Sequence, residues 1–520
     1  MHKPYRSNFL LFLLAAFGIA AFFSTGETTE SPSVISKAQA AQNAASFLET
    51  QFGTRPSSSF VTFQSDTELS GYLQREKLTD SFNKRFGSYP IDYYQVELSL
   101  PASSKKYLIN VNMRTGSVFG WIRLNAMPQP LNLKDLSEAN TWLKAMGYDP
   151  KLFTLISGDG ENAWIFENRH DQIGEATLRI RMEKSGGIIS VFEPSFHLPE
   201  TFITWMDRQT GAASFLSLIS LLLSSLLAIA AIIAAVKYRK TASFERGALL
   251  TAFFIVIYAA YNINTYPGYK TASAGGPEGL LSVFFMQFTI LLMAASVYIS
   301  FVAGEALWLR SGWQPWPRWR GPDFGKHALD SMGRGYLLSL FILGVQSVVY
   351  YFAEQRFHIW TTEDPSSSIY NLLWPGLFPT LAWAAAISEE AVFRLFGIIL
   401  FKKLFKNTFI AVLLSSFLWA MGHAGYPVYP VYTRLVEVTI LGIIFGYAFL
   451  KYGLITVIFA HASMDSILMG LSIMDTDHPA SLAGGTFYIL SPAIVGLLIY
   501  WLHSLMKKRP RPLLPPEMIP

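Results

Sequence analysis

Two adjacent carboxylates and an arginine, in Glu389-Glu390-Ala391-Val392-Phe393-Arg394, lie inside an apolar run from about Tyr370 to Phe401. A charge at the centre of a bilayer costs about 2.5–3.5 kcal/mol on insertion scales. Three so close together need partners, water or a chemical role. Two further polar groups follow on apolar stretches: His423, in Trp419-Ala420-Met421-Gly422-His423, and His461 with Asp465, in His461-Ala462-Ser463-Met464-Asp465. Helical residues four apart share a face, so Glu390 meets Arg394 and His461 meets Asp465. Glu389 is turned about 100° from Glu390, so one glutamate can be held by the arginine while the other points elsewhere.

The chemistry open to such a set is activation of water against a carbonyl. A carboxylate in apolar surroundings can act as a general base, and a histidine beside it can share the proton or bind the same water. Two histidines and a carboxylate can also hold zinc with one position open, here from Glu389, His423, His461 and Asp465. Each cluster has a plainer reading as well. A buried Glu–Arg pair can fix one helix against another, a lone histidine is commonly a hydrogen-bonded packing residue, and a His–Asp pair can pass protons in a transporter. Three clusters within four consecutive apolar runs favour a common role.

These groups need a membrane scaffold, and the composition supplies one. The chain has 520 residues, 51% of them hydrophobic and only 15% charged, against roughly 25% charged in ordinary soluble proteins. Its mean hydropathy is +0.30. The absence of cysteine excludes a thiol nucleophile, a disulfide and a Cys-ligated metal. The net charge of +5 calls for no nucleic-acid partner, because the basic residues fall in short loops.

An apolar run at 8–24 follows a short basic start and is read as an uncleaved signal anchor. Nine further runs of near-spanning length occupy 211–236, 247–264, 279–304, 335–353, 371–401, 408–425, 432–450, 454–472 and 485–505. Alternate loops are basic: Lys237 to Lys240 with Arg246, 310–334, Lys402 to Lys406, Lys451, and Lys507 to Arg509. The positive-inside rule makes these cytoplasmic, together with both termini. The expected fold is a polytopic α-helical membrane protein of about ten spans. Its expected domains are the 1–24 anchor, an extracytoplasmic α+β domain at 25–205, spans and a basic loop at 206–330, an enzymatic domain at 331–508 and a tail at 509–520.

Within 25–205, helical spacing at 36–52 precedes strands at 93–100, 107–113 and 118–124. A second helix at 136–146 precedes a hairpin at 177–192. The pattern reads as two diverged α+β units, 36–125 and 135–193. It resembles the PepSY-type domains found outside bacterial membranes, through the helix-then-hairpin order and Val111-Asn112-Met113-Arg114-Thr115-Gly116. That resemblance implies a regulatory domain that takes a ligand or protein.

Glu389-Glu390-x-x-x-Arg394, then Trp419-x-x-x-His423, then His461-x-x-x-Asp465 resembles the signature of CPBP-type intramembrane proteases, the group of CAAX prenyl endopeptidases and Abi-type bacteriocin-processing or immunity proteins. The resemblance covers about 370–475. It implies that Glu389 activates water with His423, that Glu390 supports it and pairs with Arg394, and that His461 with Asp465 steadies the oxyanion or helps bind a metal. Trp419 stands where the group commonly has Phe, and Asp465 where it often has Asn. An ionised Asp cannot donate a hydrogen bond, so Asp465 must be protonated, orient His461 or ligate metal. The implied activity is hydrolysis of membrane-associated or membrane-inserted protein substrates in a bacterial cell membrane. A non-proteolytic sensor or scaffold and a proton-coupled transporter are the alternatives. Arg434 and Glu437 are further rim candidates, with mutual pairing as their simpler role. Ser388 and Ser463 are read as packing residues.

Overall fold

The computed structural model describes residues 4–25, 33–101, 106–131, 135–156, 162–270, 277–475 and 481–507. The tail expected at 509–520, with Lys508 and Arg509, lies outside the described residues. Helix α1 (Pro4–Thr25) leads to a sheet domain. There α2 (Lys37–Phe52) starts where the Ser36 hydroxyl accepts the Gln39 N–H, and ends at Gly53 in the left-handed region that glycine tolerates. Strand β1 (Ser58–Ser65), α3 (Thr67–Arg75), α4 (Thr79–Phe86), β2 (Asp92–Ser99), β3 (Lys106–Asn112) and β4 (Val118–Leu124) follow. After them come α5 (Ser137–Ala145), β5 (Thr154–Ile156), β6 (Ala163–Ile173), β7 (Ala176–Ser185) and β8 (Ile188–His197).

These strands make one antiparallel sheet in the order β1-β2-β3-β4-β8-β7-β6-β5. Two four-stranded meanders, each preceded by a helix, thus join through β4 and β8. Trp121 sits at that seam opposite Phe192, fully buried, its indole N–H on the Ile189 carbonyl at 3.1 Å. One core runs beneath both halves, with Ala40, Ala44 and Leu48 of α2 and Ala139 and Leu143 of α5 against Val96, Ile109, Ile180 and Met182. The alternating patterns of β2, β3, β4, β7 and β8 are legible in sequence, whereas β1, β5, β6, α3 and α4 are not.

The rest is helical: α6 (Glu200–Lys237), α7 (Ala248–Asn264), α8 (Tyr266–Lys270), α9 (Pro277–Arg310) and α10 (Phe324–Phe357), then β9 (Trp360–Thr361). Next come α11 (Leu381–Glu389), a π-helical segment (Glu390–Gly397), α12 (Ile398–Phe405), α13 (Thr408–Met421), β10 (Val428–Tyr429), α14 (Val431–Tyr452), α15 (Leu454–Met474) and α16 (Ser481–Lys507). Among the described residues six helices, α6, α9, α10, α14, α15 and α16, are long and apolar enough to cross a membrane, and Phe9–Thr25, α7 and α13 are shorter apolar helices. Rows of exposed Leu, Ile and Phe on α6 and α16, such as Leu222, Ile229, Ile233, Leu490, Leu497 and Trp501, would be covered by lipid. The chain is a membrane protein.

The single helix expected at 371–401 is corrected to four pieces. Pro375 and Pro379 confine the first to a 3-10 turn (Pro375–Thr380), α11 follows, and the register then widens to π before α12. Helix α1 packs on α10 at a glycine crossing: a Cβ on Gly18 would lie 2.2 Å from the Leu340 carbonyl oxygen.

Sheet domain and bundle meet at the start of the α11 chain. The buried Asn371 side chain pairs with the free edge of β1 as a strand would, accepting Phe63 N–H at 2.7 Å and donating to Phe63 O at 2.8 Å. An edge strand left bare there would expose unpaired backbone groups. Asn371→Ala is therefore expected to weaken this docking by about 1–3 kcal/mol. Hydrogen exchange at the Phe63 amide should rise, and unchanged protection would refute the role. A second contact sets Trp360, tilted against Tyr429 with ring centroids 4.5 Å apart, over Gly71 of α3.

Candidate active site

Glu389 closes α11 and Glu390 opens the π segment, so the change of register falls between them. π turns inside α-helices are frequent at functional sites. Two carbonyls of the segment take donors from neighbouring helices. Ser415 Oγ on α13 donates to Phe393 O at 2.5 Å, and the Trp308 indole on α9 donates to Leu395 O at 2.8 Å. Close approach is possible because Gly304 and Gly397 carry no side chain: a Cβ would lie 2.8 Å from Leu395 Cγ and from Ser415 Oγ respectively.

The two glutamates have different surroundings. Glu390 is fully buried, with Oε1 3.3 Å from Arg394 Nη1 and 2.8 Å from His461 Nδ1. Arg394 is buried too, its guanidinium 4.0 Å from the centre of the Trp419 ring and 5.2 Å from that of Phe445. Neither its terminal nitrogens nor Glu390 Oε2 makes a hydrogen bond among the described residues. Charge and ring contact therefore hold the arginine. Glu389 keeps 24% of its side chain exposed, and its Oε2 accepts the Trp419 indole N–H.

His461, on α15, stands between the carboxylates. With Nδ1 on Glu390, its Nε2 faces Glu389 Oε2 at 3.8 Å and Asp465 Oδ2 at 3.6 Å. The structure thus brings together Glu389, Glu390, Arg394, His461 and Asp465, from two helical segments far apart in sequence. His423 joins through Trp419: its Nδ1 lies 3.0 Å from the Trp419 carbonyl, and the two rings meet edge to face at 5.0 Å.

On the expected span 408–425, His423 would sit near the far membrane face, away from Glu389. Helix α13 is shorter than that span, at 14 residues, a rise of about 21 Å. Its own length is below that of a hydrocarbon core about 30 Å thick, and turns from Gly422 to Tyr426 carry the chain on to β10. Tyr426 stacks on His423 at 5.6 Å, and a cavity of about 220 Å³ opens between Ser214 and Ser217 of α6 and Ala424 to Tyr426.

Arg434 and Glu437 pair with each other at 2.6 Å and are joined by Tyr350 and Gln346 of α10. Ser388 Oγ donates to the Ala384 carbonyl of its own helix. Trp419 is the residue that sequence reasoning undervalued. The available signal was chemical: a Trp in a Phe position carries an N–H.

Among the described residues no three His, Asp or Glu side chains stand where they could hold a metal ion. His461 has Nδ1 on Glu390, and the Glu389 oxygen nearest its Nε2 already accepts the indole.

The fold and these motifs define a membrane-embedded helical protein whose C-terminal part is similar to the CPBP family. Residues 371–467 match the family described as type II CAAX prenyl endopeptidase Rce1-like. The chain is also 24% identical over 309 residues to the sporulation-killing factor biosynthesis protein SkfC of Bacillus subtilis (strain 168). That alignment takes in 57% of this chain and 60% of the relative, so less than two thirds of the relative's length is spanned. No solved structure matches.

Proposed function

We propose that the protein is an intramembrane endopeptidase acting on membrane-associated or membrane-inserted protein substrates. The observation that carries this is the convergence of Glu389, Glu390, Arg394, His461 and Asp465, with His423 alongside, in the stretch that matches the Rce1-like family. Glu389, the accessible carboxylate, takes a proton from water as the water attacks a peptide carbonyl, with His423 orienting that water, and returns the proton to the leaving amine as the C–N bond breaks. Glu390 accepts Nδ1–H of His461 and so presents Nε2 to the reacting centre. A protonated Nε2 donates to the oxyanion, and Asp465 orients the ring.

In the same reading all ten apolar runs cross the bilayer with both termini cytoplasmic. Residues 25–205 are then an extracytoplasmic pair of diverged PepSY-like units that receives a regulatory ligand or protein. The enzymatic domain is 331–508, and the cell is bacterial. A metal form of this reading, with zinc on Glu389, His423, His461 and Asp465, would require these side chains first to move together, since no three of them converge among the described residues.

The test is cleavage of a peptide with one membrane-spanning segment by the purified full-length protein. His423→Ala and His461→Ala should each lower kcat by about 10²-fold or more. Persistent cleavage in both would sink the assignment. A chelator that leaves the wild-type rate unchanged would remove the metal form alone, and restoration by added zinc would establish it.

A further inference from the structure

Trp419 touches four groups of the site. Its indole N–H donates to Glu389 Oε2, and among the described residues it is the one hydrogen-bond donor on that carboxylate. Its backbone carbonyl takes Nδ1 of His423 at 3.0 Å. Its ring faces the Arg394 guanidinium at 4.0 Å and meets the His461 ring at 5.9 Å, edge to face. The residue is 3% exposed and also packs on Phe445, with ring centroids 6.2 Å apart. A partly exposed carboxylate at the end of a helix has several rotamers open to it. A rigid indole clamped on this many sides, with its N–H on one oxygen, selects among them.

We propose that Trp419 is a positioning residue for the reaction, which rests on the hydrolytic reading above. Its side chain fixes Glu389 by Oε2 and leaves Oε1 to the water. Its carbonyl turns the His423 ring so that Nε2 is the nitrogen left free. One residue thereby sets the mutual orientation of the two groups that handle the water. A Phe at this position would keep the ring against Arg394 and lose the hold on Glu389, so the device belongs to the tryptophan.

Two replacements separate the N–H from the ring. Trp419→Phe keeps an aromatic face. β-(3-Benzothienyl)alanine at 419 keeps the shape of tryptophan with sulfur in place of N–H, which guards against a folding defect in the first variant. Both are expected to lower kcat for the membrane-segment peptide about 10- to 100-fold, as loss of alignment does, with KM within about 2-fold of wild type. In the Glu389→Ala background Trp419→Phe should add no further loss. Independently of turnover, the Trp419 indole ¹⁵N–¹H resonance of the labelled full-length protein should move upfield in Glu389→Ala.

An unchanged kcat in the benzothienyl protein overturns the role, and so does an indole resonance indifferent to Glu389. Wild-type protein that cleaves nothing overturns the hydrolytic reading and this role with it. Normal turnover in both variants overturns this role alone.

Discussion

Glu389→Gln is expected to remove peptide cleavage, lowering kcat by about 10²- to 10⁴-fold, the range that a positioned general base contributes. The change is small in shape. The amide oxygen can still accept the Trp419 indole N–H, and 24% of the Glu389 side chain is already exposed. What disappears is the capacity to take a proton from water. The unfolding midpoint should therefore stay near that of wild type while turnover is lost. Glu390→Gln makes the informative contrast. That side chain is fully buried between Arg394 and His461, so its replacement should lower both stability and activity. Turnover measured beside thermal unfolding of the two variants decides the matter. If Glu389→Gln keeps wild-type turnover, the accessible glutamate is not the base.

Arg394→Ala is expected to destabilise the bundle by about 3–5 kcal/mol, the cost of leaving a buried charge without its partner. Glu390 and Arg394 are both essentially inaccessible. Removing the guanidinium leaves the Glu390 carboxylate with only His461 Nδ1 at 2.8 Å. It also removes the cation from the face of Trp419, an interaction worth up to about 2 kcal/mol when desolvated. Chemical unfolding in detergent micelles reads the loss. Arg394→Ala combined with Glu390→Gln should recover part of it, because the unpaired charge goes too. A loss below about 1 kcal/mol, as for an exposed pair, would mean that the pair does not hold the helix.

The sequence made the membrane class legible because the apolar runs need no tertiary information: their length and composition alone meet the requirement of a bilayer. It made the candidate site residues stand out for the same reason in reverse, since Glu389, Glu390, Arg394, His461 and Asp465 are anomalies in such runs. Spacing of four gave Glu390–Arg394 and His461–Asp465, both found as close pairs at 3.3 and 3.6 Å. In the sheet domain, β2 and β3 announce themselves by alternation. Strand β6 does not, because its Glu167 is buried in the sheet and satisfied across it by Arg179 at 2.8 Å. That pairing converts a polar sequence into a strand, and no local pattern records it.

Other features depended on the tertiary structure. The π register at Glu390–Gly397 coincides with donors that Trp308 and Ser415 bring from α9 and α13. Propensity alone would run an α-helix through those residues. The bond from His461 to Glu390 joins helices 71 residues apart in the chain, a distance over which sequence periodicity carries no information. The sequence also gave Glu390 a single partner where the fold supplies two. Above all, it gave the identity of Trp419 without its purpose: an indole N–H acquires meaning only where packing aims it at a carboxylate. Composition and spacing determined which residues could do chemistry in a membrane. The packing of α11, α13 and α15 decided which of them face one another, because burial and hydrogen-bond direction are properties of the assembled bundle.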